Sequence, residues 1–406
     1  MAEVTILQVV PRLDTGGSEL ATVEIAEALT RAGARALVVT EAGRMAAAVA
    51  EAGGEVVTLP VASKNPLTII ANVARLRRLI AEREIALVHA RSRAPAWSAF
   101  FAARRAGRPF VTTYHGAYAN RGPLKALYNS VMGRGDRVIA NSLYTADLIV
   151  SRQKVARERI RVIYRGIDNT AFDPAAVPPD RVAKLRARWG VRPETKIVLH
   201  AARLTGLKGH RQTVEAAATL ARQGTLDGAA IVFAGDAPGK AAYRQELIGL
   251  IAKHGLQEKV LLVGHCEDMP SAFRAAHVAI LPSLVPETFG RASIEAQAMG
   301  CPIILSAIGA LPETIISPEQ DKARFTGWLV PPGDAAALAA RIQAAFALSP
   351  EERIAIGARA SARARALFAL AQMQRATLKV YDELLGTHLA DQFDERSSRA
   401  LSPGSR

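Results

Sequence analysis

Short apolar runs recur along the first part of the chain and alternate with stretches whose apolar residues fall on one helical face. In a doubly wound domain, each strand is covered on both faces and is therefore almost wholly apolar, and a helix follows each strand. The pattern predicts a Rossmann-like α/β domain with a parallel sheet. Its predicted strands are TILQVV, ALVVT, EVVTLP, ALVHA, PFVTTYH, RVIANS and RVIYRG.

The second half of the chain repeats this alternation and predicts a second Rossmann-like domain, whose strands are KIVLHAAR, AAIVFAGD, VLLVG, VAILP and PIILS. The segment RGIDNTAFDPAAVPPD lies between the two halves and has the composition of a linker. The carboxyl ends of the two sheets are expected to face each other across a cleft. The predicted organisation is a first domain at 1–175, a linker at 176–194, a second domain at 195–366, a helix returning to the first domain at 367–388 and a disordered tail at 389–406.

Composition narrows the class of protein. Half of the residues are hydrophobic, as in globular proteins. No uninterrupted apolar run approaches the roughly 18 to 20 residues of a membrane span, and the amino terminus lacks the succession of a secretory signal. Cys266 and Cys301 are too few for a disulfide framework and lack metal-ligand spacing with nearby histidines. We therefore expect a cytoplasmic protein with two small, buried cysteines.

Positive charge is concentrated in the first half of the chain. Residues 1–190 hold 28 Lys+Arg and 16 Asp+Glu, whereas residues 191–406 hold 24 and 21. No acidic residue occurs between Glu84 and Asp136, and the basic residues there are Arg91, Arg93, Arg104, Arg105, Arg108, Arg121, Lys125 and Arg134. This distribution favours an anionic partner, although a merely solvated basic face would have the same composition.

An anionic membrane surface suits this basic segment, because each basic residue near such a surface adds about 1 kcal/mol of attraction. A predicted apolar edge beside it comprises Leu124, Leu127, Tyr128, Val131 and Met132. Nucleic acid is not expected as a partner. The basic residues neither form a recognisable reading helix nor alternate with aromatic residues in a stacking pattern.

Two carboxylates stand close together in PSLVPETFGRASIEAQAMGCP, residues 282–302. Glu287 is predicted to lie in a loop, and Glu295 in a helix that begins near Arg291 and stops at Gly300. Amides at a helix start attract phosphate, and carboxylates beside them accept hydrogen bonds from sugar hydroxyl groups. The arrangement is suited to a nucleotide sugar, although solvated surface helices carry glutamates at similar spacing.

Further candidate residues are predicted at carboxyl strand ends, where ligand clefts form in α/β sheets. Gly16 and Gly17 stand where the first strand turns into its helix, and His115 ends the fifth strand. Arg203 and Lys208 follow the first strand of the second domain, so that both cationic ends can reach a pyrophosphate. The glycine pair alone would also fit a tight turn, and a lone histidine at a strand end is more often structural.

PETFG, the helix after it and AMGCPII resemble the signature of the retaining glycosyltransferases of family 4, which have the GT-B architecture. GGSE is similar to the family's GGxE, TYHG to its THHG or TFHG, RLTGLKG to its R-x-x-x-x-KG, and RGIDNTAFDP to its NGVD-x-x-x-F-x-P. Leu20 stands where an arginine is common. RSRAPAW is similar to a lipopolysaccharide-core subgroup of the family. The resemblance covers most of the chain and implies transfer of a hexose from a nucleotide-diphosphate sugar.

The resemblance also implies roles for individual residues. Arg203 and Lys208 would bind the diphosphate, Glu295 the ribose and Glu287 the transferred sugar, and His115 would lie beside that sugar. His115, Glu287, Arg203 and Lys208 are the implied catalytic residues. The implied donor-binding residues are Gly16, Gly17, Arg203, Lys208, Gly264, His265, Glu287, Phe289, Gly290, Arg291 and Glu295. His89 either lines the acceptor cleft or simply ends a strand.

The expected partners are a nucleotide sugar and an envelope glycan or lipid-linked acceptor at the cytoplasmic face of the inner membrane. No D-x-D pair is present to hold a metal against a diphosphate, so the reaction is expected to be metal-independent. A glycoside hydrolase is disfavoured because both glutamates lie in one nucleotide-binding segment. Two alternatives stay open: a UDP-sugar 2-epimerase of GT-B shape and a polyanion-binding protein without catalytic activity.

Overall fold

The computed structural model describes residues 3–14, 16–118, 122–236, 239 and 241–401, and the chain divides into two compact units. Unit 1 consists of Met1–Gly166 and Leu370–Arg406, and unit 2 consists of Ile167–Ala369. Each unit has one parallel sheet with helices packed against it. The two predicted Rossmann-like domains are therefore confirmed.

Unit 1 is built on a seven-stranded parallel sheet in the order β3-β2-β1-β4-β5-β6-β7. Its strands are β1 (Thr5–Val9), β2 (Arg35–Thr40), β3 (Glu55–Thr58), β4 (Ile85–Ala90), β5 (Phe110–Tyr114), β6 (Arg137–Ala140) and β7 (Ile160–Val162). The helices between them are α1 (Gly17–Arg31), α2 (Ala46–Glu51), α3 (Pro66–Glu82), α4 (Arg93–Arg105), α5 (Pro123–Ser130) and α6 (Leu143–Gln153).

Both faces of this sheet are covered, which explains why strands such as β1 are buried along their whole length. On one face, Leu76 and Ile80 of α3 and several alanines of α4 pack against the strands. On the other face, Ile25 and Leu29 of α1 form the core together with residues near the end of the chain. Unit 1 thus takes one of its two helical layers partly from the carboxyl-terminal segment.

Unit 2 has a six-stranded parallel sheet in the order β10-β9-β8-β11-β12-β13. Its strands are β8 (Lys196–Ala201), β9 (Ala229–Ala234), β10 (Val260–Gly264), β11 (Val278–Leu281), β12 (Ile303–Ser306) and β13 (Gly327–Val330). Its helices are α7 (Pro179–Arg188), α8 (His210–Arg222), α9 (Ala241–Lys253), α10 (Met269–Ala275), α11 (Arg291–Ala298), α12 (Ala335–Phe346) and α13 (Pro350–Leu367).

Unit 2 differs from the prediction in two places. Residues 176–194 are not a bare linker, because α7 lies there, and Leu185 of this helix and Trp189 directly after it are buried in the core of unit 2. β13, a four-residue strand that follows the polar segment 317–326, was not predicted. Trp328 of β13 nevertheless packs into the core.

The carboxyl-terminal segment also differs. The chain returns to unit 1 in α14 (Leu370–Leu385), but residues 389–401 are not disordered as predicted: they form α15 (Leu389–Leu401). Leu389 and Phe393 are buried on one side of α15, and the Asp382 carboxylate accepts hydrogen bonds from the first amides of that helix. The polar composition of the segment concealed this narrow apolar stripe. Residues 402–406 lie outside the described residues.

The two cysteines are not equivalent. Cys301 is buried, as predicted, and burial raises the pKa of its thiol to about 12. Cys266 is only half-buried, which corrects the prediction that both side chains are enclosed. Burial is also the main cause that raises the pKa of Cys266. Both thiols therefore stay protonated at neutral pH, which makes them poor nucleophiles.

Candidate functional site

The loops that follow β8 and β11 lie against each other in unit 2. The Leu284 amide donates a hydrogen bond to the Leu207 carbonyl at 2.9 Å. Gly209, which caps α8, has a φ of +79°, and a Cβ atom there would overlap the carbonyl oxygen of Pro282. Glycine therefore permits both the left-handed conformation and the close approach of the two loops.

This contact brings Lys208 and Glu287 together. The Lys208 Nζ donates to the Glu287 Oε1, and the Ser283 hydroxyl donates to the same oxygen at 2.6 Å. The two charged side chains are 23% and 18% exposed, so both are oriented by the protein and still reachable by a ligand. The backbone of Glu287 is fixed as well, because its carbonyl accepts a hydrogen bond from Ala310 at 2.9 Å.

Helix α11 begins directly after this loop. Gly290 precedes it with a φ of +92°, and the predicted start at Arg291 is confirmed. The Arg291 Nε lies 3.2 Å from the Glu295 Oε1, one helical turn away, and both side chains are partly exposed. The ring of Phe289 is buried 5.6 Å from that of Phe368, so only the backbone of Phe289, whose amide was predicted to contact the donor, can reach a ligand.

Backbone hydrogen bonds connect the loops at the neighbouring strand ends. Leu204 donates to the Asp236 carbonyl at 2.9 Å, and Gly235 donates to the Gly264 carbonyl at 2.8 Å. Arg203 and His265 are exposed on these loops. The carboxyl ends of β8, β9, β10 and β11 therefore carry every residue that the sequence predicted for the second domain's part of the site.

Sequence reasoning missed a buried histidine pair below the Lys208 loop. His200 of β8 and His210 of α8 stack with ring centroids 4.1 Å apart and an interplanar angle of 7°. Burial is the main cause that lowers the pKa of both imidazoles. The pKa of His210 is lowered to about 4, although hydrogen bonds to the Thr205 and Ala202 carbonyls raise it. No local pattern of residues indicates this pair, because only the fold brings the two positions together.

In unit 1, Gly16 and Gly17 lie where predicted. Gly16 precedes α1 and accepts a hydrogen bond from Leu20 through its carbonyl, and Gly17 is the first residue of the helix. Both glycines are exposed. Because the first amides of a helix have no partner within the helix, this end of α1 can contact an anion.

His115 follows β5 and contacts Arg165, which follows β7. The Arg165 guanidinium is buried, and its Nη2 lies within hydrogen-bonding distance of the His115 Nδ1. Burial, followed by the nearby charges of Arg165 and Arg91, holds the pKa of His115 well below its usual value. His115 is therefore neutral at neutral pH. Arg165 is the first residue of the motif RGIDNTAFDP, and no role was predicted for it from the sequence.

His89 is the residue before the last in β4 and is wholly buried, so it does not line a cleft. Its Nδ1 lies 2.7 Å from the Tyr381 hydroxyl, and its Nε2 lies 2.7 Å from the Thr113 hydroxyl. Beside it, the buried Arg91 donates to the Gln8 Oε1 at 2.6 Å. These contacts connect β1, β4 and β5 with α14. The network was missed because Tyr381 is remote in sequence.

The basic segment of unit 1 is only partly a surface. Arg91 is buried, and Arg121 lies outside the described residues. The Arg93 guanidinium lies over the Tyr118 ring at 4.0 Å, and Arg104 forms an ion pair with Asp136 at 2.8 Å. Several of these cations thus stabilise unit 1 itself, and fewer are available to a partner than the sequence predicts.

The predicted apolar edge is also smaller than expected. Leu124 and Leu127 of α5 are 83% and 56% exposed, and Tyr128 is half-buried. Val131 and Met132 are wholly buried in the core of unit 1, which corrects their prediction as surface residues. They lie in a short 3-10 helix that turns inward after α5.

Within the described residues, no group of three or more histidine, cysteine, aspartate or glutamate side chains is arranged to hold a metal ion. No helix in the described part of the chain is long and apolar enough to cross a membrane.

Comparison with known proteins gives two family matches. Residues 15–170 match the profile of Glycosyltransferase Family 4, and residues 182–363 match that of Glycosyl transferases group 1. A glycosyltransferase from Rickettsia africae, known from a crystal structure, is 32% identical in sequence to this chain. The two structures have a TM-score of 0.87, and the match covers 96% of this chain and 100% of the other. The crystal structure of Anabaena HepE in complex with UDP and glucose has the same fold, with a TM-score of 0.81. Its sequence is 23% identical, and the match covers 94% of this chain and 100% of the other.

Among curated proteins, a D-inositol 3-phosphate glycosyltransferase from Streptomyces avermitilis is 32% identical over 64% of this chain and 54% of the relative. The chain thus spans about half the length of the curated relatives it matches. The two family profiles match consecutive parts of the chain and correspond to the two Rossmann-like units. This chain therefore belongs to glycosyltransferase family 4 and has the GT-B type of fold.

Proposed function

We propose that this chain is a retaining glycosyltransferase that moves a hexose from a nucleotide-diphosphate sugar to an envelope glycan or lipid-linked acceptor. The observation that carries the proposal is the hydrogen-bonded group of Lys208, Glu287 and Ser283 directly before α11. It combines a cation for phosphate, a carboxylate for sugar hydroxyl groups and a helix amino terminus in one small volume.

Unit 2 is proposed to bind the donor. Arg203 and Lys208 would contact the diphosphate, Glu295 the ribose and Glu287 the hydroxyl groups of the transferred sugar. Phe289 would contribute only through its backbone, since its ring is buried.

The remaining donor contacts are backbone groups and one imidazole. The amides of Gly290 and Arg291 at the start of α11 would face the sugar, and the turn at Gly264 and His265 would pass the base. In unit 1, His115 and the amino terminus of α1 at Gly16 and Gly17 are proposed to contact the donor.

The proposed reaction retains the configuration of the anomeric carbon. The acceptor oxygen forms a bond to that carbon on the face from which the diphosphate departs, and the carbon–oxygen bond to the diphosphate breaks. The hydroxyl proton passes to the departing phosphate oxygen. Negative charge grows on the phosphate during this step, and Arg203 and Lys208 stabilise it more in the transition state than in the ground state. We propose that these cations make a metal unnecessary.

The acceptor proposal is supported by the surface of unit 1. Leu124 and Leu127 are exposed on α5 beside Lys125, a combination suited to shallow contact with an anionic bilayer at its cytoplasmic face. Binding to anionic vesicles is expected to weaken in a Leu124→Asp, Leu127→Asp variant. The curated relatives are described as D-inositol 3-phosphate glycosyltransferases, so a small phosphorylated acceptor is the competing outcome. It would be favoured if vesicle binding were absent.

Donor binding can be tested without the acceptor. We expect one of UDP, GDP or ADP, or a sugar derivative of it, to raise the melting temperature of the wild type and not of Glu295→Ala. Glu215→Ala, which removes an exposed carboxylate from α8, is the matched control and should keep the effect. A chelator should not change it. If no nucleotide stabilises the wild type at millimolar concentration, the transferase proposal fails and polyanion binding becomes the better explanation.

A further inference from the structure

Arg165 and His115 are brought together by the sheet of unit 1. His115 is the residue after β5 and Arg165 lies three residues after β7, with β6 between these strands. The Arg165 side chain is directed inward, with the residue only 6% exposed, and its Nη2 meets the Nδ1 of His115. A long cationic side chain is rarely enclosed unless its charge has a defined task or partner.

The chemistry of the two groups fixes the direction of their hydrogen bond. A guanidinium group has five N–H donors, no acceptor and a charge that it does not lose in proteins. The His115 Nδ1 must therefore offer its lone pair to Arg165. A neutral imidazole that accepts at Nδ1 carries its proton on Nε2.

The surroundings of His115 favour this neutral form. Arg165, Arg91 and His89 all act on the imidazole in the same direction as burial and lower its pKa. Tyr118 lies against the backbone of His115, and burial raises the pKa of its phenol although Arg93 and the contact with His115 lower it. A second positive charge on His115 would be enclosed next to two guanidinium groups, which is electrostatically unfavourable.

The network around His89 keeps these charges in place. Both ring nitrogens of His89 have partners, the Tyr381 and Thr113 hydroxyl groups, and Arg91 donates to Gln8. Thr113 lies only two residues before His115 on β5.

We propose that Arg165 is a positioning residue that locks His115 as a neutral imidazole with its proton on Nε2. His115 then acts on the bound sugar as a hydrogen-bond donor, not as an acid, a base or a cation. The assignment of His115 to the sugar rests on the proposed function, whereas the protonation state of the free protein does not.

This inference defines what His115 recognises. A neutral Nε2–H group pairs with an acceptor atom, such as the oxygen of a sugar hydroxyl group, and it cannot supply the proton that a departing group needs. That restriction agrees with the proposed reaction, in which the acceptor's own proton passes to the phosphate.

The test is a histidine NMR measurement on the full chain labelled with ¹⁵N-histidine, with the His115 signals assigned by a His115→Gln variant. In the wild type we expect a protonated Nε2, an unprotonated Nδ1 and no titration between about pH 5 and 8. In Arg165→Met we expect His115 to populate both neutral tautomers and its pKa to rise, because one of the nearby positive charges is removed.

Arg157→Met is the matched control, because it removes one exposed arginine from the same unit, where Arg157 pairs only with the exposed Asp147 among the contacts described. The His115 signals should not change in this variant. If Arg165→Met does not fold, the tautomer of His115 measured in the wild type still tests the proposal. A proton on Nδ1, or a wild-type His115 that titrates near neutral pH, would overturn the proposal.

A kinetic measurement separates positioning from structure. With the donor found by thermal stabilisation, Arg165→Met should lower kcat of donor turnover by about tenfold or more with little change in KM, and Arg165→Lys should recover part of it. An unchanged kcat would refute the positioning role. The NMR measurement needs no ligand, so its outcome is independent of the glycosyltransferase proposal. That proposal is tested separately by nucleotide binding.

Discussion

At the residue scale, the candidate donor site depends on side chains that hold one another in place. Glu287 accepts hydrogen bonds from both Lys208 and Ser283. Glu295 has Arg291 beside it. Each carboxylate is therefore oriented before a ligand arrives, and less conformational entropy is lost on binding.

The stacked pair of His200 and His210 predicts a pH dependence of stability. Burial holds the pKa of His210 at about 4, below the usual value of 6.5. As the pH falls from 6.5 towards 4, the unfolded chain binds a proton at this site that the folded chain does not, so folding is disfavoured. Between pH 7 and pH 5 the wild type should lose about 2 kcal/mol more unfolding free energy than His210→Gln.

This difference can be measured by urea unfolding, because the tryptophans Trp189 and Trp328 are both buried in unit 2 and report on it. His254→Gln, which removes a half-buried histidine of the same unit, is the control and should follow the wild type. Equal pH dependence in the wild type and His210→Gln would show that this site does not take up a proton on unfolding.

At the scale of structural elements, the site exists because loops at neighbouring strand ends are packed closely. Gly209 is the point of closest approach, where a side chain would overlap the Pro282 carbonyl. The short 3-10 helix Gly206–Lys208 then directs Lys208 towards Glu287. The position of the cation is therefore set by backbone packing as much as by the side chain itself.

Gly209→Ala should lower the unfolding free energy by about 2 kcal/mol or more and reduce nucleotide stabilisation, because the loop that carries Lys208 must move. Gly255→Ala is the matched control. Gly255 also has a positive φ, +66°, but among the described residues no atom lies within 4 Å of its Cβ position. We expect it to cost about 1 kcal/mol and to leave nucleotide stabilisation intact. Equal effects of the two variants would contradict the role given to this loop contact.

At the scale of the whole molecule, the two units are built differently along the chain. Unit 2 is one continuous segment, Ile167–Ala369, with its own hydrophobic cores. Unit 1 is discontinuous, since Leu378, Tyr381 and Phe393 from the end of the chain complete the core against α1. The core of unit 1 is therefore completed by both segments of the unit.

We expect residues 167–369 expressed alone to unfold cooperatively and to keep the stabilisation by the preferred nucleotide, because Arg203, Lys208, Glu287 and Glu295 all lie in unit 2. Residues 1–166 alone should aggregate or remain unfolded, since they lose the cover of α14 and α15. Circular dichroism and gel filtration of both fragments test this. A folded, monomeric 1–166 fragment would show that the carboxyl-terminal helices are dispensable.

Much of this protein could be predicted from the order of its residues. Apolar runs of strand length marked twelve of the thirteen strands found in the described residues, and β13 was missed. The glycines, charged residues and helix start of residues 282–302 indicated a donor site, because these local signals depend on neighbours in sequence. The residues assigned to the second domain's part of that site do lie at the carboxyl ends of adjacent strands.

What only the tertiary structure decided are the contacts between positions distant in sequence. His89 proved structural because Tyr381 covers it from α14, and Val131 and Met132 proved buried because the chain turns inward after α5. The contact of Arg165 with His115 and the stack of His200 on His210 arise in the same way. Burial and pairing depend on which distant segments pack together, and the local pattern does not contain that information.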